Sequence, residues 1–71
     1  MMPLTELNKR TQRELRSLAS DGWLILYTLR VGNQRFVGLR HSRKVGLLDI
    51  IEEGRTMTIK RQGKIVKQES W

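Results

Sequence analysis

The sequence predicts a small α+β domain: an N-terminal helix, a hairpin, a short second helix and a second hairpin, with a mainly antiparallel sheet. Three observations carry this reading. A leucine stripe at three- and four-residue spacing opens the chain. Two pairs of β-rich runs follow, each pair joined by a two-residue turn that contains glycine. The length, 71 residues, suits one domain with a small core, so residues 1–71 are read as a single unit.

The first element is "PLTELNKRTQRELRSLASDG". Pro3 suits a first helical turn. Leu4, Leu7, Thr11, Leu15 and Leu18 form one stripe, and Glu6 stands four residues before Arg10, a favourable helical pair. "SDG" ends the helix, with Gly22 free to take the left-handed cap. The run "WLILYTLRV" then reads as a strand. Strict alternation puts Trp23, Ile25, Tyr27, Leu29 and Val31 on one face and Leu24, Leu26, Thr28 and Arg30 on the other. Both faces begin apolar, which predicts a central strand. Gly32-Asn33 is a glycine-first turn, and "QRFVGLR" returns. That register sets Arg30 against Arg35, Leu29 against Phe36, and Tyr27 over Gly38, where a ring covers the missing side chain.

In "HSRKVGLLDIIEEG" the doublets Leu47-Leu48 and Ile50-Ile51 break simple alternation. With Val45 they fit one helix face, with Ser42 as N-cap and Gly54 as stop. The alternative is a buried strand, which would give a five-stranded small β-barrel behind an N-terminal helix. "RTMTIKRQGKIVKQES" is the second hairpin, turning at Gln62-Gly63. Met57, Ile59 and Val66 are expected inside, and Thr58, Lys60 and Lys67 outside.

Lysine and arginine number 14 against 7 acids, a net charge of +7, which points to a polyanionic partner. The hairpin stretch Leu29–Lys44 holds Arg30, Arg35, Arg40, His41, Arg43 and Lys44 and no acid. The second hairpin adds Lys60, Arg61, Lys64 and Lys67, with Arg61 opposite Lys64. These ten residues are the candidate nucleic-acid contacts. Opposed like charges destabilise a sheet, and phosphates between them would relieve the repulsion. On this reading Arg35→Thr leaves stability unchanged or slightly raised. Lys9, Arg13 and Arg16 form a further stripe on the first helix, with Gln12 available for a base contact.

Catalytic patterns are weak. Glu52-Glu53 read as a solvated helix end, and His41 lacks an orienting carboxylate at motif spacing. "GNQRFVG" does not match a phosphate loop opening a helix. No enzymatic activity, cofactor or metal site is expected. Cysteine is absent and no apolar run reaches membrane-spanning length, so a cytoplasmic location is expected, with no membrane partner. The small core, the two-faced strand and Trp71 suggest a homodimer.

The expected function is a small nucleic-acid-binding regulator, on DNA or RNA. The alternative is an adaptor or inhibitor docking on an acidic protein surface. The layout of a leading helix, then "LILYTLRVGNQRFVG", then "EEGRTMTIKR", is similar to the Sm-like RNA-binding barrel of the bacterial host-factor family. "IKRQGKIV" stands where that family has its histidine-containing lysine motif. Separately, "DGWLILYTLRVGNQRFVGLRHSRKVGLLDII" resembles the strands-then-helix pattern of integrase arm-type DNA-binding domains.

Overall fold

The structure, a computed structural model, describes residues 2–71. A single 3-10 turn at Leu4–Glu6 precedes α1 (Lys9–Ser20). Five strands follow: β1 (Trp23–Val31), β2 (Gln34–His41), β3 (Leu48–Glu53), β4 (Thr56–Arg61) and β5 (Lys64–Ser70). They form one antiparallel meander whose spatial order is the chain order, β1-β2-β3-β4-β5. The architecture is α+β with an antiparallel sheet.

The helix starts later than its stripe implies. Pro3 caps the 3-10 turn, and Asn8 caps α1 by accepting from the Arg10 N–H at 2.9 Å. The stripe itself holds: Leu7, Thr11 and Leu15 are buried, with Leu18 half-buried. Their partners across the core are Trp23, Val37, Leu39, Leu48, Ile50, Met57 and Ile59. Gly22, at φ +102°, reverses the chain into β1. It is doubly constrained, because a Cβ there would stand 2.6 Å from the His41 ring.

Residues 48–53 are a strand, not the expected second helix, and Ser42 caps nothing helical. The isoleucine doublet has a sheet explanation. Ile50 faces the core, while Ile51 lies beside Phe36 on the opposite face and is half-buried there. A strand covered on one face and flanked by apolar side chains on the other shows no clean period. The strands-then-helix likeness to integrase domains falls with this helix. Five strands behind a helix agree with the Sm-like count, but β5 pairs only with β4 and the sheet stays open, so the barrel is not formed.

β1 is an edge strand rather than a central one. A bulge between Ile25 and Tyr27 leaves Leu26 without a β2 partner. It moves Thr28 and Arg30 onto the face of Val37 and Arg35, so strict alternation fails midway. A second bulge, between Ile59 and Lys60, inserts Val66. Val66 is therefore exposed, and Lys67 rather than Val66 pairs with Ile59 and reaches Glu14 of α1.

The first hairpin register is as the sequence implies: Arg30 against Arg35, Leu29 against Phe36, Tyr27 against Gly38. The Tyr27 ring lies on Gly38 so closely that a Cβ there would be 1.9 Å from it, and its hydroxyl donates to Asp49 at 3.0 Å.

Glu52 is not a solvated end. It is 2% exposed, and its carboxylate accepts from the Asn8 N–H at 3.0 Å, the Thr11 hydroxyl and Arg35 at 3.2 Å. Neighbouring Glu53 points outward and accepts from Gln34.

Glu52→Ala should cost about 3 kcal/mol in urea unfolding, because it strands the Asn8, Thr11 and Arg35 donors. Glu53→Ala should change stability by less than about 0.5 kcal/mol. Gly38→Ala should cost about 2 kcal/mol through overlap with the Tyr27 ring. That loss should shrink in the Tyr27→Ala background, as a double-mutant cycle would measure.

Candidate nucleic-acid interface

Because the strands alternate in direction, the two hairpin turns lie at opposite ends of the sheet. The β1–β2 and β3–β4 turns share one end. The β4–β5 turn shares the other with the β2–β3 loop and the C-terminus of α1. The ten predicted contact residues are thereby divided.

At the first end the opposed pair Arg30–Arg35 is bridged from within the chain. Glu6 lies 2.9 Å from Arg30 and 3.9 Å from the Arg35 Nε, and Glu52 takes the other side of Arg35. The repulsion inferred from the register is relieved by carboxylates, not left open for phosphate. The 3.9 Å separation is ionic contact without a hydrogen bond, and the Arg35 Nε is a buried donor with no partner. Arg35→Thr therefore removes the cation beside a buried carboxylate. Its effect on stability is reversed from the one the register alone implies.

At the second end Arg40, His41, Arg43, Lys44, Lys60, Arg61 and Lys64 come together on the closing residues of β2 and β4, the loop between β2 and β3, and the start of β5. The loop is pinned to the turn: the Gln62 N–H reaches the Leu47 carbonyl, and Arg61 donates to the Val45 carbonyl at 3.0 Å. Trp23, 4% exposed, is the organising side chain. His41 meets it edge-on with ring centroids 5.2 Å apart. The Arg61 guanidinium stands 5.5 Å from the Trp23 ring and the Lys44 ammonium 5.9 Å, both in cation–π range.

His41 is held from both sides. Its Nδ1 accepts from the Arg43 N–H at 2.9 Å, so its Nε2 donates to the Asp21 carbonyl at 2.7 Å. These two contacts make it a clamp between the α1–β1 corner and the loop. Among the described residues, Lys44 is the one cation of this end with a carboxylate partner, Asp21 at 3.0 Å. The hydrogen bond and charge of Lys44 hold the Asp21 carboxyl below its usual value. Among the described residues, Arg40, Arg43, Lys60, Arg61 and Lys64 have no carboxylate within ion-pair distance. Arg40, Arg43 and Lys64 are exposed.

Lys67 belongs to neither end. It pairs with Glu14 of α1, and that contact raises its pKa. On α1, Lys9, Arg13 and Arg16 are exposed as expected, but the Gln12 amide donates to the Leu7 carbonyl at 2.8 Å and is not free for a base. The sequence reading missed Trp23 as the anchor of the basic end, and Glu6 and Glu52 as the acids that neutralise the other. A charge inventory by segment cannot show which tips share an end; the parity of the strand count does.

The chain matches no protein-family model, no curated protein and no solved structure. Among the described residues, no helix is long and apolar enough to cross a membrane.

The Asp21–Lys44 pair yields a pH prediction. A lowered carboxyl pKa contributes stability above the unfolded value, near 4, and loses it as pH falls through the folded value. Lys44→Ala should move the Asp21 titration up toward the ordinary carboxylate range in a carbon-detected NMR titration. An unchanged midpoint would show that Lys44 is not the cause.

Proposed function

We propose that the protein binds nucleic acid, with the second end of the sheet laid against phosphates. One observation carries this: Arg40, Arg43, Lys60, Arg61 and Lys64, which have no carboxylate partner among the described residues, cluster at that end, while the opposed pair Arg30 and Arg35 at the other end is neutralised by Glu6 and Glu52. A uniformly solvated surface needs no such segregation. A one-sided field attracts and orients a polyanion, and releasing its condensed counterions favours binding. The exposed side chains Arg40, Arg43 and Lys64 can move to meet phosphate oxygens. Arg61 and Lys44, stacked on Trp23, supply fixed charge behind them. Such contacts position a protein on a backbone without reading sequence.

The test is fluorescence anisotropy on random duplex DNA, single-stranded DNA and RNA across a salt series. Affinity should fall steeply with salt. The pair Arg43→Ala and Lys64→Ala should lower the slope of log K against log salt by about two. Arg30→Ala, at the neutralised end, should leave the slope unchanged. Equal losses from both ends would reject a dedicated basic end. Absence of binding at low salt would favour docking on an acidic protein surface.

A further inference from the structure

The two edges of the open sheet are built differently. β5, "KIVKQES", interrupts its edge with Lys64, Lys67 and Glu69, the usual protection against strand addition. β1, "WLILYTLRV", has no charge over its first seven residues in a chain of net charge +7. Leu24, Ile25, Leu26 and Leu29 are 54%, 44%, 48% and 50% exposed. Beyond the pairing with β2, the backbone of residues 23–31 makes no backbone hydrogen bond among the described residues. The bulged Leu26 lacks a partner even on the β2 side. The edge is thus long, apolar, unpaired and without charged protection.

We infer that the free edge of β1 pairs antiparallel with β1 of a second copy, joining two five-stranded sheets into one. The charge pattern selects this occupant. A two-fold axis near Ile25–Leu26 lays the uncharged run of one copy along that of the other. No like charges are opposed along Trp23–Leu29, and the charged groups flanking the run, Arg30 and Asp21, keep their own partners Glu6 and Lys44. That self-complementarity is what an isologous contact requires. Backbone bonds between the edges would supply the unmet donors and acceptors of β1, as in strand addition generally. The exposed apolar side chains of the two β1 strands would become neighbours. The pairing leaves the basic cations of β4, β5 and the β2–β3 loop outside the contact.

Size-exclusion chromatography with light scattering tests this. The unmodified chain should have twice the single-chain mass. Leu26→Lys should have the single-chain mass with an unchanged circular-dichroism spectrum, whereas Val66→Lys on the opposite edge should remain doubled. Amide exchange needs no variant: residues 24–27 should exchange more slowly in concentrated than in dilute protein. A single-chain mass for the unmodified protein at its highest workable concentration would overturn the inference. So would doubling that Val66→Lys abolishes and Leu26→Lys does not, or exchange at residues 24–27 that is independent of concentration.

Discussion

The buried carboxylate of Glu52 holds the two layers of this molecule in register. It lies on the central strand, yet its acceptors serve the N-terminus of α1 through Asn8 and Thr11, and β2 through Arg35. A charge removed from water is costly unless every lone pair finds a donor. That condition can be met in one arrangement, with α1 docked so that its first turn faces the end of β3. Leucines would tolerate a helix shifted along the sheet or rotated a little. Glu52 does not, so the polar cluster specifies what the apolar core only favours. Arg35 is fixed by the same cluster and shares Glu6 with Arg30, so the buried carboxylate reaches the opposed arginine pair of that end.

The opposite end is built on an aromatic ring instead. Trp23 starts β1 immediately after the Gly22 corner, and its faces and edge receive His41, Arg61 and Lys44. Of the two cations on the ring, Lys44 is paired with Asp21, while Arg61 has no carboxylate within ion-pair distance among the described residues. The same residue types are thus used in two ways. Arg30 and Arg35 at one end are neutralised by Glu6 and Glu52; Arg61 at the other is held on Trp23 without a carboxylate partner among the described residues.

Local chemistry was legible in the sequence and long-range placement was not. The turns at Gly32-Asn33 and Gln62-Gly63, the Arg30–Arg35 opposition and the ring of Tyr27 over Gly38 all follow from short-range pairing rules, and the structure has them. The failure at residues 48–53 came from a strand with apolar groups on both faces, which mimics a helical stripe. The two bulges, at Leu26 and Val66, each shifted the alternation by one residue, and no residue type announces them. β1 was read as central because central strands are apolar on both sides, although an open edge can carry the same composition. For the basic residues, their places along the strands and turns were legible but their division between two ends was not, because it depends on having five strands rather than four strands and a helix.

The meander order bears on how the chain reaches this state. Each strand's sheet neighbours are its neighbours in sequence, so the sheet can grow hairpin by hairpin with only short loops to close. The contacts that span large sequence distances are those of α1: Asn8 and Thr11 to Glu52, and Glu14 to Lys67. The sheet is thus held by contacts local in sequence, whereas docking α1 closes a loop of roughly forty residues. Helix docking desolvates the Glu52 carboxylate and buries the leucine stripe together, so the two layers lose both contributions at once when they part.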